Sequence, residues 1–139
     1  MKRILVTGAN KGIGLATVEN LLQNHPDTFL ILGSRDEKRG DEAVGFLTSK
    51  EPKWSDRLMM LAIDVSSDES VTMAAETVAS SFETEAKPLY GIINNAGIGS
   101  SSIGLEPTLQ VNTWGIHRVC EVFIPLLEAS GRIVNVTSA

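Results

Sequence analysis

An apolar run, Ile4-Leu5-Val6, leads directly into the glycine-rich stretch Thr7-Gly8-Ala9-Asn10-Lys11-Gly12-Ile13-Gly14. A buried strand that turns through three glycines into a helix is typical of a phosphate-binding turn. Gly8 allows the tight turn, Gly12 lets a diphosphate approach the backbone, and Gly14 lets the helix pack closely on the strand. The phosphates are expected at the N–H groups of the positive helix end. This stretch therefore predicts a nucleotide site.

The composition indicates one soluble domain with its own core, and it argues against a nucleic-acid-binding or membrane-spanning protein. The chain has 139 residues, of which 42% are hydrophobic, and a net charge of −5. Its 12 Lys and Arg residues are scattered, so we expect no nucleic-acid partner. No apolar stretch approaches the roughly 20 residues that a membrane span needs. The start, residues 1–4, leaves no room for a signal peptide before the first strand, which predicts a cytoplasmic protein.

The residue types that bind metals are few. One cysteine, Cys120, excludes an internal disulfide and a Cys-based zinc cluster, and its neighbours Val119 and Val122 predict a buried, reduced thiol. His25 lies in a predicted turn and His117 in a predicted helix, without Cys, His or acidic partners at metal-ligand spacing. We therefore expect no metal site.

Strand-like and helix-like patterns alternate along the whole chain, which predicts parallel strands joined by crossover helices. The predicted strands are 3–7, 29–33, 57–63, 90–94 and 132–136. The predicted helices are 12–23, 36–49, 67–83 and 108–128. The first helix is expected to turn four residues toward the core: Ile13, Ala16, Thr17 and Leu21.

These elements predict an α/β fold with a doubly wound parallel sheet in the order 3-2-1-4-5, forming one domain over 1–139. The continuous apolar run 58–63 is typical of a strand that is covered on both faces. Ligand groups should gather at the carboxyl ends of the strands, near the switch between strands one and four. The outer edge of strand five is expected to be unpaired unless another segment covers it.

Two further motifs fall at those strand ends. Asp64-Val65 closes strand three, and Asn94-Asn95-Ala96-Gly97 closes strand four. The glycine pattern is Gly-x-x-x-Gly-x-Gly and is not a P-loop, because no Gly-Lys-Ser/Thr follows it. Taken alone, it would also be compatible with a glycine turn that binds no ligand. The order of the three motifs favours a nucleotide site.

The ordered motifs resemble those of the short-chain dehydrogenase/reductase family over essentially the whole chain. The matching residues are Thr7-Gly8-x-x-x-Gly12-x-Gly14, Asp64, Asn94-Asn95-Ala96-Gly97, Asn112 and Val134-Asn135-Val136-Thr137-Ser138. Within that family, the stretches 10–15 and 34–40 are most similar to the NADPH-dependent carbonyl reductases. The resemblance implies a dinucleotide-binding Rossmann domain, here its N-terminal portion.

The resemblance also implies cofactor-binding roles. Asp64 would bond the adenine amino group with Val65 near the ring, although Asp64 could also cap the helix that begins near residue 67. The resemblance implies that the remaining cofactor-binding residues surround the phosphates and the ribose and line the centre of the site: Gly8, Asn10, Lys11, Gly12, Ile13, Gly14, Asn94, Ala96 and Gly97.

The charge at the end of strand two selects the dinucleotide. Arg35, Arg39 and Lys11 can surround a 2′-phosphate, which predicts NADPH as the cofactor. The alternative is that the two arginines only form an exposed helical face. Asp36 could serve a ribose in an NAD enzyme, but its position favours a cap of helix two.

By the same resemblance, a serine after strand five would hold the substrate carbonyl and an asparagine would belong to a proton relay. Ser138 and Asn112 match these two residues, with a strand-end turn and an ordinary helix polar group as the alternatives. The family's proton donor is a tyrosine with a lysine four residues later. The single tyrosine, Tyr90, begins strand four and is followed at that spacing by Asn94. Since proton transfer typically contributes about 10²–10⁴-fold, this chain alone is expected to be nearly inert, as the front part of a longer enzyme or a truncated product.

The sequence thus predicts an NADPH-dependent reductase of small-molecule aldehydes or ketones, with this chain as the cofactor-binding part. The alternative is a non-catalytic NADP(H)-binding module. An epimerase-like relative is disfavoured, because its usual glycine pattern is Gly-x-x-Gly-x-x-Gly. Monomer and homodimer remain equally compatible with the sequence.

Overall fold

A computed structural model describes residues 1–98 and 104–137, which form a five-stranded sheet with helices on both faces. Its strands are β1 (Lys2–Val6), β2 (Thr28–Ser34), β3 (Leu58–Ala62), β4 (Leu89–Asn94) and β5 (Leu127–Asn135). Its α-helices are α1 (Gly12–Asn24), α2 (Glu37–Lys50), α3 (Asp68–Ser81), α4 (Leu105–Asn112) and α5 (Trp114–Phe123). Short 3₁₀ helices cover Pro52–Arg57 and Ile124–Leu126. Across 1–98 and 104–137, no helix is long and apolar enough to cross a bilayer.

The strand order is β3-β2-β1-β4-β5, and every neighbouring pair is parallel, which confirms the predicted topology. Val6 pairs with Leu32 on one side of β1 and with Ile93 on the other. The carboxyl ends of β1, β2 and β4 therefore meet at one edge of the sheet, where the strand order switches direction.

Two apolar clusters cover the two faces of the sheet. Leu5 and Ile31 belong to the cluster beneath α3 and α5, whereas Val6 and Leu32 belong to the cluster beneath α1 and α2. All four side chains are fully buried. Because successive residues of a strand point to opposite faces, continuous apolar runs are what a doubly covered sheet requires.

The inner face of α1 differs from the expected one. Its buried residues are Gly14, Val18 and Leu22, whereas Ile13 is 69% exposed and Ala16 is also exposed. The reason is that Gly14 packs against the preceding turn and sets the helix rotation, so that every fourth residue after it faces the core.

The predicted helix 108–128 is also wrong. The helical run is divided into two helices at Thr113, a turn residue whose φ of −117° departs from the helical value while its ψ of −62° stays in the helical region. The second helix ends at Phe123, since Pro125 cannot donate the next helical hydrogen bond. The chain then enters β5 at Leu127, five residues before the predicted start of that strand.

β5 forms one edge of the sheet. In the part of the chain that the structure describes, it pairs with β4 alone, and its register shifts between Leu89 and Gly91 of that strand. Ile133 and Val134 of β5 are 39% and 50% exposed. Among residues 1–98 and 104–137, the outer side of β5 is therefore unpaired, and the strand exposes apolar side chains on the sheet faces.

Candidate functional site

A cleft of about 360 Å³ lies at the carboxyl ends of β1 to β4, at the point where the strand order switches. It combines the glycine turn, the end of β2, the end of β3 and the end of β4. Its lining residues are Gly8, Asn10, Lys11, Gly12, Ile13, Arg35, Asp36, Arg39, Ile63, Asp64, Val65, Asn95, Ala96, Gly97, Ile98 and Val111. The three motifs that the sequence places in order therefore meet in space.

Each glycine of the turn has a different structural reason. Gly8 has φ +61°, and a Cβ atom there would lie 2.7 Å from the Cα of Ala96. Gly14 has no room for a side chain, because its Cβ would lie 2.6 Å from the carbonyl oxygen of Gly8. Gly12 has φ +59° but faces open space, with no atom within 4 Å of a Cβ position. Gly8 and Gly14 are thus packed against the chain, and the open space beside Gly12 gives a diphosphate room.

The N-terminus of α1 supplies donors to that open space. Lys11 precedes the helix in extended backbone geometry, and among the described residues no side chain caps the first turn. The first helical hydrogen bond runs from the Leu15 N–H to the Lys11 carbonyl, so the N–H groups of residues 12–14 precede the helical ladder. Such a helix end attracts anions, and phosphates above all.

Thr7 and Asn95 lock the turn to the end of β4. The Thr7 hydroxyl accepts hydrogen bonds from the N–H groups of Asn95 and Ala96, at 3.1 and 3.0 Å. The Asn95 amide donates to the carbonyls of Thr7 and Gly8, at 3.1 and 3.0 Å. Sequence reasoning assigned Asn95 no site role, although its position in the second motif was the available signal.

Asn94 differs from its expected placement, because its side chain lies outside the cleft. It is 3% exposed and donates a hydrogen bond to Asn135 Oδ1 at 2.9 Å, which joins the ends of β4 and β5. The Cys120 thiol lies 3.9 Å from the same amide nitrogen and is partly buried, where full burial was expected. Ala96 and Gly97 do line the cleft.

Charged residues gather where β2 leads into α2. Arg35 and Arg39 line the cleft together with Lys11, and all three are exposed. Asp36 also lines the cleft, and its Oδ1 accepts a hydrogen bond from the Arg39 N–H at 3.0 Å. The prediction that Asp36 caps helix two is therefore confirmed. The Ser34 hydroxyl supports this corner by donating to the Asp36 carbonyl at 2.7 Å.

The segment after β3 forms another wall of the cleft, beside the end of β2. Asp64 Oδ1 accepts hydrogen bonds from the N–H and the hydroxyl of Ser66, at 3.0 and 2.6 Å. The cap of α3 is Ser67, whose hydroxyl accepts from the Ser70 N–H, so the alternative role of Asp64 as the cap is wrong. Val65 is buried beside it, and Ile63 adds an apolar wall that sequence reasoning missed.

Of the two candidate catalytic residues, the structure describes only Asn112. Asn112 ends α4, and both ends of its amide are bound to the main chain of Ile98. Ser138 lies outside the described residues. Tyr90 lies at the amino end of β4, on the opposite edge of the sheet from the cleft, with the Lys2 ammonium 4.9 Å from its ring centroid.

Comparisons with known proteins agree with this architecture. The family model of the short chain dehydrogenases matches residues 2–139. The chain is 36% identical over 146 residues to the mitochondrial D-beta-hydroxybutyrate dehydrogenase of Bos taurus, covering 99% of this chain and 41% of that protein. It is 31% identical over 144 residues to carbonyl reductase [NADPH] 1 of Rattus norvegicus, covering 97% of this chain and 48% of that protein.

The fold has similar solved structures. The menthone neomenthol reductase of Mentha piperita superimposes with a TM-score of 0.87 at 28% identity, covering 99% of this chain and 60% of that one. The chain spans about half the length of the curated relatives it matches, or less. The family model covers all of the residues that line the cleft. The chain belongs to the short-chain dehydrogenase family of oxidoreductases.

Proposed function

We propose that the chain binds NADPH as the dinucleotide-binding part of a reductase that acts on the carbonyl group of aldehydes or ketones. The observation that carries this proposal is the positive charge of three residues that line the cleft: Lys11, Arg35 and Arg39. In a chain of net charge −5, three cations beside one cleft form a local positive site. A 2′-phosphate is the group that such a site recognises and that NADH lacks.

The remaining parts of the cleft fit the rest of the same nucleotide. The open space beside Gly12 and the N-terminus of α1 would hold the diphosphate. Asp64 and Val65, which follow β3 beside the end of β2, would contact the adenine that shares its ribose with the 2′-phosphate. Asn10, Ile13, Gly14, Ala96 and Gly97 complete the residues that we assign to this site.

Asp36, beside the two arginines, would favour NADH, because a carboxylate can accept hydrogen bonds from the ribose hydroxyls. Its Oδ1 instead accepts the Arg39 N–H at the start of α2. There, the positive end of the helix compensates part of its charge. Two arginines and a lysine then outweigh it, so the charge balance supports NADPH.

When bound, the nicotinamide supplies the hydride that reduces the carbonyl carbon. On the strength of the motifs, we assign Ser138 to hold the carbonyl oxygen and Asn112 to the proton relay. The two hydrogen bonds between Asn112 and Ile98 support a position for α4 beside the centre of the cleft. The substrate would accordingly lie between Asn112, at the end of α4, and the carboxyl end of β5.

A second function, NADP(H) binding without catalysis, is favoured by the position of Tyr90. The single tyrosine of the sequence lies at the opposite edge of the sheet from the cleft, and no Tyr-x-x-x-Lys pair occurs in the 139 residues. This chain then offers no tyrosine to protonate the product oxygen. Under this alternative, the chain binds NADPH but oxidises none of it with any carbonyl compound.

Titration with NADPH and with NADH, followed by nicotinamide fluorescence, tests the proposal. We expect NADPH to bind at least about tenfold more tightly, since charged hydrogen bonds to the 2′-phosphate contribute about 1.5–3 kcal/mol. A preference for NADH would overturn the role of the arginines, and no binding of either would overturn the proposal. NADPH oxidation with aldehydes and ketones separates the reductase from the binding module.

A further inference from the structure

Arg118, on α5, connects three elements at the back of the cleft. Its Nε donates to Asp68 Oδ1 at 2.7 Å, at the start of α3. Its Nη1 donates to the carbonyls of Val65 and Gln110, at 3.2 and 3.1 Å, and its Nη2 donates to Gln110 Oε1. The side chain is 18% exposed. One guanidinium therefore joins α5 to α3, to α4 and to the segment after β3.

A second contact brings the same face of α5 against Val65. Gly115 lies three residues before Arg118, on the same side of the helix. A Cβ atom at Gly115 would lie 2.8 Å from Val65 Cγ2 and 3.3 Å from the Val65 carbonyl oxygen. The missing side chain lets α5 approach closely enough for the guanidinium to reach that carbonyl.

The residues that Arg118 holds adjoin the wall of the cleft. Val65 itself lines the cleft, next to Asp64, and Gln110 precedes Val111, which lines it from α4. Among the described residues that line the cleft, Arg118 is absent, so it can act on the cleft only through its neighbours.

We propose that Arg118 is a positioning residue that sets the shape of the adenine end of the cleft by holding the Val65 and Gln110 main chains in place. The inference rests on the proposed dinucleotide function. The fork of donors explains why an arginine is needed, because a lysine ammonium is a point charge that cannot span acceptors on three elements. The ion pair with Asp68 is secondary, since the Asp68 side chain is 89% exposed.

The chain offers a matched control, Arg3, near the amino end of β1 and therefore at the opposite end of the strands from the cleft. Arg3 is also 18% exposed, pairs with Glu85 at 3.0 Å and donates to a main-chain carbonyl, that of Pro88, at 3.2 Å. Arg3→Ala should therefore reduce the stability much as Arg118→Ala does, without touching the cleft.

The test is titration of the wild type and of Arg118→Ala, Arg118→Lys, Asp68→Asn and Arg3→Ala with NADPH, with adenosine 2′,5′-bisphosphate and with reduced nicotinamide mononucleotide. Thermal unfolding of each variant is measured in parallel. We expect Arg118→Ala to weaken NADPH and the adenine fragment by a similar factor, about tenfold, and to leave the nicotinamide fragment unchanged. Arg118→Lys should also bind the adenine fragment more weakly than the wild type, while Asp68→Asn and Arg3→Ala bind as the wild type does.

Wild-type affinity of both Arg118 variants for the adenine fragment would overturn this inference and leave the proposed function intact. Equal weakening by Arg3→Ala would overturn it as well, because the effect would then follow from stability alone. If Arg118→Ala does not fold, the affinity of Arg118→Lys decides. A wild-type chain that binds neither NADPH nor the adenine fragment would overturn both proposals.

Discussion

The side chain of Asn112 holds the main chain of Ile98 at both of its polar groups. Asn112 Nδ2 donates to the Ile98 carbonyl, and Asn112 Oδ1 accepts from the Ile98 N–H, each at 2.8 Å. This pair joins the last residue of α4 to the segment that follows β4. An amide is the side-chain group that can both donate and accept in this geometry.

Asn112→Asp removes one of the two hydrogen bonds and keeps the other. The carboxylate still accepts from the Ile98 N–H but cannot donate to the carbonyl, so we expect a loss of about 1 kcal/mol in the free energy of unfolding. Urea denaturation measures the loss. Asn20→Asp, which makes the same charge change on an exposed residue of α1, is the control. Equal stability of both variants would show that the Ile98 link contributes nothing.

Gly12→Ala distinguishes a ligand-binding glycine from a structural one. A Cβ there meets no protein atom, so the expected destabilisation is only the strain of φ +59°, about 1–2 kcal/mol. The same Cβ would enter the proposed diphosphate space, and NADPH affinity should fall by at least about tenfold. Gly45→Ala, in the exposed middle of α2, should instead stabilise the protein by about 0.5–1 kcal/mol and leave binding unchanged. Unimpaired NADPH binding by Gly12→Ala would contradict the diphosphate assignment.

Arg39→Ala tests the selection of NADPH over NADH. Loss of one charged hydrogen bond to the 2′-phosphate should weaken NADPH binding by about tenfold or more, while NADH binding stays constant. Lys38→Ala removes the neighbouring charge on α2, which does not line the cleft, and should leave both affinities unchanged. Fluorescence titration gives the NADPH and NADH affinities of each variant. A similar loss for NADH would mean that Arg39 recognises a group common to both nucleotides.

The pair of Arg3 and Glu85 makes a pH-dependent contribution to stability. The hydrogen bond from the Arg3 guanidinium is the main cause that lowers the pKa of the Glu85 carboxyl below its usual value. A lowered pKa in the folded state favours folding above the unfolded-state pKa, and this contribution disappears as the pH falls through the folded-state pKa. Glu85→Gln should therefore be slightly less stable than the wild type at neutral pH and equally stable in acid. Thermal unfolding of both proteins across that range checks the convergence, and a constant difference would exclude the linkage.

Local patterns predicted the elements that depend on residues close in sequence. The five strands and their order follow from continuous apolar runs separated by crossover helices, and each of β1 to β4 lies within two residues of its predicted bounds. The role of Asp36 as a helix cap also follows from residues within one turn of it. Such features need no knowledge of distant neighbours.

The errors occur where distant residues decide. The inner face of α1 depends on Gly14, which packs against the side chain of the distant Asn95 as well as the turn before it, and the α4–α5 break accompanies the anchoring of Asn112 to Ile98. Asn94 and Asn95 are adjacent in one motif, yet one points to Asn135 and the other to the glycine turn. Alternation along the chain puts the two amides on different sides, and only their partners across the sheet reveal which faces the cleft.

By itself, the order of residues determined a parallel sheet, a glycine turn at its switch point and an excess of cations beside that turn. These are properties of spacing, backbone freedom and charge, which are local. Tertiary structure alone decided that Asn95 rather than Asn94 supports the turn, and that Arg118 on α5 holds the Val65 carbonyl 53 positions earlier. Such contacts arise because packing brings donors and acceptors together that have no relation along the chain, and buried polar groups must find partners wherever the fold supplies them.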